Sequence, residues 1–328
     1  MRTRNCIAIL TSLVLVALAL VDGTVPALAA VDGPRAVRGT TTVVVANAVQ
    51  PLNGVTPAPA GSSAVVPARE LGDPCTLAEP AANPTRPAWD YAASTTQCGV
   101  AEVDSGWMEQ PMGGGVRLEM LTSSMRYGLT PKLDLRWGLT NHINQSGGGT
   151  AALEGVGDQW LNARYRFVER SKWMAALAFD YGFKIPMANP AKGFGSGFVD
   201  HQFTMIASRD LGKNHFDFNA VGTVVGEKQG HDGAAQFGLA LTRPVTPKLS
   251  LILEAYGGPQ PGTSNRFGAA FAGASYVLRQ TLVLDGAYSR TYTEGSPRQQ
   301  LIFGFTFAMR PGFAPLPKGS SLARLMGR

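Results

Sequence analysis

The chain has 328 residues, a formal net charge of +6 and a mean hydropathy of +0.01. It is 45% hydrophobic but only 16% charged, which excludes a bundle of apolar membrane helices yet suits strands that hide apolar side chains by alternation. Lys and Arg are scattered without a basic run, which argues against a nucleic-acid partner.

Residues 1–29 read as a secretory signal peptide. Arg2 and Arg4 form the basic start, residues 7–21 are apolar, and Ala27-Leu28-Ala29 places small residues where a signal peptidase reads. The alternative is an uncleaved anchor, for which the apolar run is short. Residues 30–99 are rich in Ala, Pro, Val and Gly and have no sustained period. They read as a periplasmic linker. Cys75 and Cys98 fall in this stretch. An exported protein meets an oxidising compartment, so a disulfide is favoured over two free thiols. It would constrain the unfolded chain by roughly 3 kcal/mol in the chain-entropy model. No His or second Cys pair lies near enough to suggest a metal site.

From residue 100 to 309 the sequence alternates in twelve runs: 100–108, 117–127, 133–141, 156–167, 173–185, 198–208, 215–225, 234–242, 249–256, 265–277, 281–289 and 298–309. A period of two puts one set of side chains on each face of a strand. Leu133, Leu135, Trp137 and Leu139 oppose Asp134 and Arg136. Leu249, Leu251 and Leu253 oppose Ser250 and Glu254. Phe303, Phe305 and Phe307 oppose Gly304 and Thr306. Several runs reach about ten to thirteen residues, longer than the typical soluble strand, and about 9–11 residues suffice for a tilted strand to cross a bilayer. Short turns at 128–132, 168–172, 209–214, 243–248 and 278–280 alternate with longer Gly-rich loops at 109–116, 142–155, 186–197, 226–233, 257–264 and 291–297. This pattern predicts an all-β fold: a transmembrane antiparallel β-barrel of about twelve strands in a bacterial outer membrane, with both chain ends on the short-turn side. Its oily face meets lipid. A soluble β-sandwich or lipocalin-like barrel would turn the same face inward. Residues 310–328 read as a basic periplasmic tail.

RYGLTPKLDLRWGL (Arg126 to Leu139), then GVGDQWLNARYRF, then Glu254 in LILEAYG and the DGAYSR strand from Asp285 resemble the outer-membrane family called MetA-pathway of phenol degradation. The resemblance covers residues 100–309. It implies a barrel that passes small, often aromatic compounds, with the barrel-assembly machinery as a partner during insertion. The long segment before residue 100, the cysteine pair and the tail after Met309 depart from the family's compact form.

Arg126, Asp134, Arg136, Arg164, Arg166, Asp180, Lys184, Asp217, Glu254 and Asp285 fall on the expected lumen face. They are the candidates for binding a small-molecule permeant, as a charged constriction. The alternative is a network of cross-strand pairs that rigidifies a narrow barrel. Arg164 and Arg166 would draw in an anion such as an aromatic carboxylate. No catalytic residues and no cofactor are expected. The four histidines, His142, His201, His215 and His231, lack the spacing of a barrel lipase. Ser196 in GFGSGF has Phe where a nucleophile elbow has Gly. A barrel closed to solutes, anchoring its periplasmic segments, remains a third reading.

Overall fold

A computed structural model describes residues 79–171, 173–259, 266–292 and 299–310. The expected signal peptide at 1–29, Cys75 and the tail beyond Arg310 lie outside the described residues. The strands are β1 (Ala101–Gly113), β2 (Val116–Thr130), β3 (Leu133–Gly147), β4 (Thr150–Gly155), β5 (Gln159–Val168), β6 (Ala176–Ile185) and β7 (His201–Leu211). Then come β8 (Asn214–Glu227), β9 (Gly230–Pro244), β10 (Leu249–Pro259), β11 (Arg266–Arg279), β12 (Leu282–Thr291) and β13 (Gln299–Met309). β4 and β5 are two halves of one stave. β3 pairs with β4 at Ile143↔Gly155 and with β5 from Leu133↔Tyr165 to Leu139↔Gln159. β1 pairs with β2 on one side and with β13 on the other, Ala101 opposite Met309. The sheet therefore closes as a transmembrane barrel of twelve antiparallel staves, and closure removes the unpaired edges.

The alternation is inverted relative to a soluble protein. Along β6 the buried residues are Ala176, Ala178, Asp180, Gly182 and Lys184, and Leu177, Phe179, Tyr181 and Phe183 face out. Arg126, Arg164 and Lys184 rank among the largest fully buried side chains, while Leu251, Phe218, Phe303 and Phe305 are exposed. Apolar exteriors and ionisable interiors are what hydrocarbon demands.

Three expected loops are mostly strand. β1 and β2 run on to a two-residue turn at Gly114 and Gly115, β3 and β4 to one at Gly148 and Gly149, and β8 and β9 to one at 228–229. All four glycines have positive φ, between +58° and +77°, where a side chain would be strained. Alternation fades in these extensions because they stand clear of the oily layer and gain nothing from an apolar face. The fifth stave also starts later than expected: β6 begins at Ala176, and Trp173 stands exposed before it. The 186–200 connection is a true loop. Its short 3-10 turn (Pro190–Lys192) is capped by the Asn189 side chain.

Leu253 faces outward at the middle of β10. Leu253→Arg is expected to cost about 2–4 kcal/mol of stability in lipid. Denaturant titration of the protein refolded into phospholipid vesicles measures this, and the neighbouring lumen-facing Ser250→Thr serves as a control near zero.

Candidate functional site: the lumen and its insert

Residues 79–99 are not a linker outside the barrel. They enter the lumen from the short-turn end, climb to about its middle and return to start β1. Ala82 N–H donates to Gln280 C=O at 2.8 Å in the β11–β12 turn, and Gly99 N–H donates to Gly128 C=O at 2.8 Å near the β2–β3 turn. Between these anchors the apex of the loop is Trp89 to Tyr91. An extended chain surrounded by wall has no flanking strand, so its peptide groups need partners from side chains.

The wall supplies them. Glu254 accepts from the Trp89 and Asp90 N–H groups at 2.7 and 2.8 Å. Asn219 mimics a strand edge: its Oδ1 accepts from Tyr91 N–H at 2.9 Å and its Nδ2 donates to Tyr91 C=O at 2.8 Å. Ser208 accepts from Ala93 N–H at 2.7 Å and donates to Asp217 at 2.5 Å. Asp134 accepts from Thr96 N–H at 2.7 Å. Arg126 donates to Asn83 C=O at 2.8 Å while pairing with Glu102 and Asp104 at 2.5 and 3.2 Å. Arg164 donates to Ala92 C=O at 3.0 Å and pairs with Asp180 at 3.1 Å. In return, Arg86 of the insert reaches Phe303 C=O at 3.2 Å and Asp285 at 3.5 Å. Tyr91 presents its ring to two guanidiniums, those of Arg136 and Arg164, each 4.5 Å from the ring centroid.

Glycines in the wall make room. A Cβ at Gly238 would come within 2.0 Å of the Asp90 carboxylate, and one at Gly304 within 2.5 Å of the Arg86 guanidinium. One at Gly128 would meet Gln97 C=O at 2.3 Å. Glycine inside a strand is otherwise a weak choice, and here it marks close approach of another chain segment.

Above the polar layer the lumen turns apolar. Met108, Met120, Ile143, Ile252, Tyr256 and Phe271 point inward and pack with Ala88 and Trp89 of the insert and Phe194 of the 186–200 loop. Trp89 and Tyr256 lie 5.3 Å apart between ring centroids. Opposite, Lys184 ties the rim together, 2.6 Å from Asp200 and 3.6 Å from Asp158.

Nine of the ten sequence candidates are thus buried lumen residues. Most of them hold the insert or hold a residue that does, in place of the purely cross-strand network considered above. Arg166 stands apart, half-buried at the short-turn mouth, donating to Pro131 C=O at 2.9 Å and pairing with Glu169 at 3.3 Å. It is not brought together with Arg164's partners. Sequence reasoning missed Asn219, Ser208, Tyr91, Arg86 and the inward apolar residues. The only available signal was glycine at alternate positions of apolar strands. Cys98, of the expected pair, is buried and disulfide-bonded.

Two hydroxyl neighbourhoods resemble catalytic fragments and differ from them in detail. Ser196 Oγ lies 2.9 Å from Lys184 Nζ, but that amine is already engaged by the Asp200 and Asp158 carboxylates. His215 faces Asp210 through Nδ1 and Asp217 through Nε2, and the Ser208 hydroxyl goes to Asp217. A nucleophile needs its hydroxyl on the imidazole. Among the described residues no cluster of His, Cys, Asp and Glu fits a metal ion.

No family model and no curated protein matches the chain. Among solved structures it is similar to an outer-membrane channel from Pseudomonas putida F1, with 16% identity and a TM-score of 0.48 over 74% of this chain and 100% of that one. It is also similar to the KdgM porin, with 8% identity and a TM-score of 0.43 over 63% and 98% of the two chains. A third is an anion-selective porin from Comamonas acidovorans, with 10% identity and a TM-score of 0.31 over 64% and 98%. Fold likeness of this kind does not carry function across.

Asn219→Ala leaves two peptide groups of the insert without partners and is expected to cost about 1–3 kcal/mol. Gly238→Val drives a side chain into the space of Asp90. In both variants, mass-spectrometric hydrogen exchange should speed up across residues 82–98 and stay unchanged in β11 to β13. Gly222→Val, whose Cβ meets nothing within 4 Å, should leave the insert protected.

Proposed function

We propose that the protein is an outer-membrane channel for small, aromatic or otherwise apolar solutes, carboxylates among them, with the 79–99 insert occupying the passage in the state described here. The observation that carries this reading is the filling of the lower lumen by a chain segment rather than by the wall's own side chains alone. A barrel built only as a rigid peg fills its interior from its strands. This wall instead withdraws to glycine where the insert passes, which supports a lower lumen that gains space once that segment moves.

The apolar inward residues of the outer half favour the solute class. Met108, Met120, Ile143, Ile252 and Phe271 offer a solute oily contacts that a sugar porin has no use for. The resemblance of residues 126–139 to barrels associated with phenol degradation supports the same class. Export by a cleaved signal peptide and a Cys75–Cys98 disulfide at the base of the insert belong to this proposal.

The density of bonds between wall and insert favours a second reading, a closed barrel that anchors its periplasmic segment. Liposome swelling separates the two. Proteoliposomes carrying the wild-type protein should swell slowly in sodium benzoate. Those carrying Asn219→Ala with Glu254→Gln, which loosen the insert, should swell about tenfold faster, the factor that 1.4 kcal/mol represents, and should prefer benzoate to arabinose. Impermeability of both proteins to every solute would sink the channel and leave the anchor.

A further inference from the structure

Three guanidiniums stand in a row on adjacent staves. Arg126 on β2 is directly opposite Arg136 on β3, and Asp134, two residues along β3, is opposite Arg164 on β5. Arg126 spends its charge on Glu102 and Asp104, and Arg164 on Asp180. Arg136 is different. It is 2% exposed, and among the described residues none of its three nitrogens has a hydrogen-bond partner. Nη2 of Arg164 is likewise buried and without a partner. Both side chains lie 4.5 Å from the same Tyr91 ring.

A guanidinium stays charged at any pH a protein meets. Burying one without partners is costly, and a neighbouring ring offsets only part of that cost. The Arg136 fork is thus a desolvated cation with its donors unused, and the Nη2 of Arg164, whose guanidinium lies beside the same ring, is unused as well. Gly138, the next inward residue of β3, adds no side chain beyond the guanidinium.

We propose that Arg136 and Arg164, with Tyr91 of the insert, form a binding site for a carboxylate carried on a flat or apolar body. Two carboxylate oxygens match the parallel N–H groups of one guanidinium fork. Asp134 and Asp180 close by disfavour a doubly charged ligand, so the site takes a monoanion. The Tyr91 ring supplies a flat apolar wall beside the fork. This narrows the earlier expectation of an Arg164 and Arg166 pair: Arg166 is engaged at the mouth, and Arg136 takes its place. The inference deepens the channel reading and rests on it for the solute's route, while the site itself is testable without transport.

The test uses the full exported protein in detergent, with thermal unfolding followed by tryptophan fluorescence. Sodium benzoate should raise the melting temperature in a saturable way, and neutral benzamide, of the same shape, should not. Arg136→Gln should weaken benzoate binding by about tenfold or more, and Arg166→Gln should leave it unchanged. Arg136→Lys keeps the charge but loses the fork, and should fall between. Equal shifts from benzoate and benzamide, no saturable shift in the wild type, or undiminished benzoate binding by the Arg136 variants would each overturn the proposal. If Arg136→Gln does not reach the folded, heat-modifiable form, wild-type affinity in Arg136→Lys overturns it. Benzoate binding without swelling would remove the channel and keep the site; swelling without binding would do the reverse.

Discussion

The peptide groups of the insert set the terms for the whole interior. A backbone N–H or C=O that loses water and finds no partner costs about 1–3 kcal/mol, whereas a made bond is worth only about 0.5–1.5 kcal/mol net. The insert must therefore be matched group by group or not enter at all. Glu254 taking two successive N–H groups, and Asn219 closing both bonds of Tyr91, are answers to that constraint. They also fix register. Sliding the segment by one residue would present C=O groups to carboxylates and side chains to the glycines, and the losses would come together.

This constraint explains what was legible in the sequence. The wall was readable because each stave has one face in lipid and one in the lumen, so Phe303 and Thr306 or Leu253 and Glu254 sort themselves by period. Nine charged residues fell on the lumen face for that reason. The insert was not readable. A strand enclosed on every side has no inside and outside, so TRPAWDYAAST shows no period and passes for linker. The inward apolar residues were hidden by the same rule that worked elsewhere. Ile252 lies between Ser250 and Glu254 on the lumen face of β10, and oil on that face carries no mark in the alternation. The strand extensions at 109–116 and 142–155 were read as loops because, clear of the membrane, neither face needs to be apolar.

Charge placement follows from the same enclosure. Glu102, Asp104, Asp180 and Asp285 answer Arg126, Arg164 and Arg86 within the lower lumen. Breaking a buried pair by removing one partner is costly because the other charge is stranded. Arginine suits this layer better than lysine, since one side chain can pair with a carboxylate and still donate to a carbonyl of the insert. Arg164 does both. Lys184, which has only carboxylates and a hydroxyl to serve, sits at the opposite rim, away from the insert.

The two layers of the lumen would respond differently to the insert's departure. Water entering the lumen can take over the polar bonds to Glu254, Asn219 and Ser208, so the net loss per bond is small even though the bonds are many. The apolar contacts have no such substitute. Trp89 and Ala88 contribute apolar surface to Met108, Ile252 and Phe271, and exposing it costs about 25 cal/mol for each Å². Hydration therefore opposes movement mainly at the top, where an apolar molecule could replace the lost contacts. A ligand shifts such an equilibrium only through its different affinity for the two states. If the protein is the channel proposed above, the layering of this lumen, wettable below and oily above, would give apolar solutes that difference and give sugars little of it.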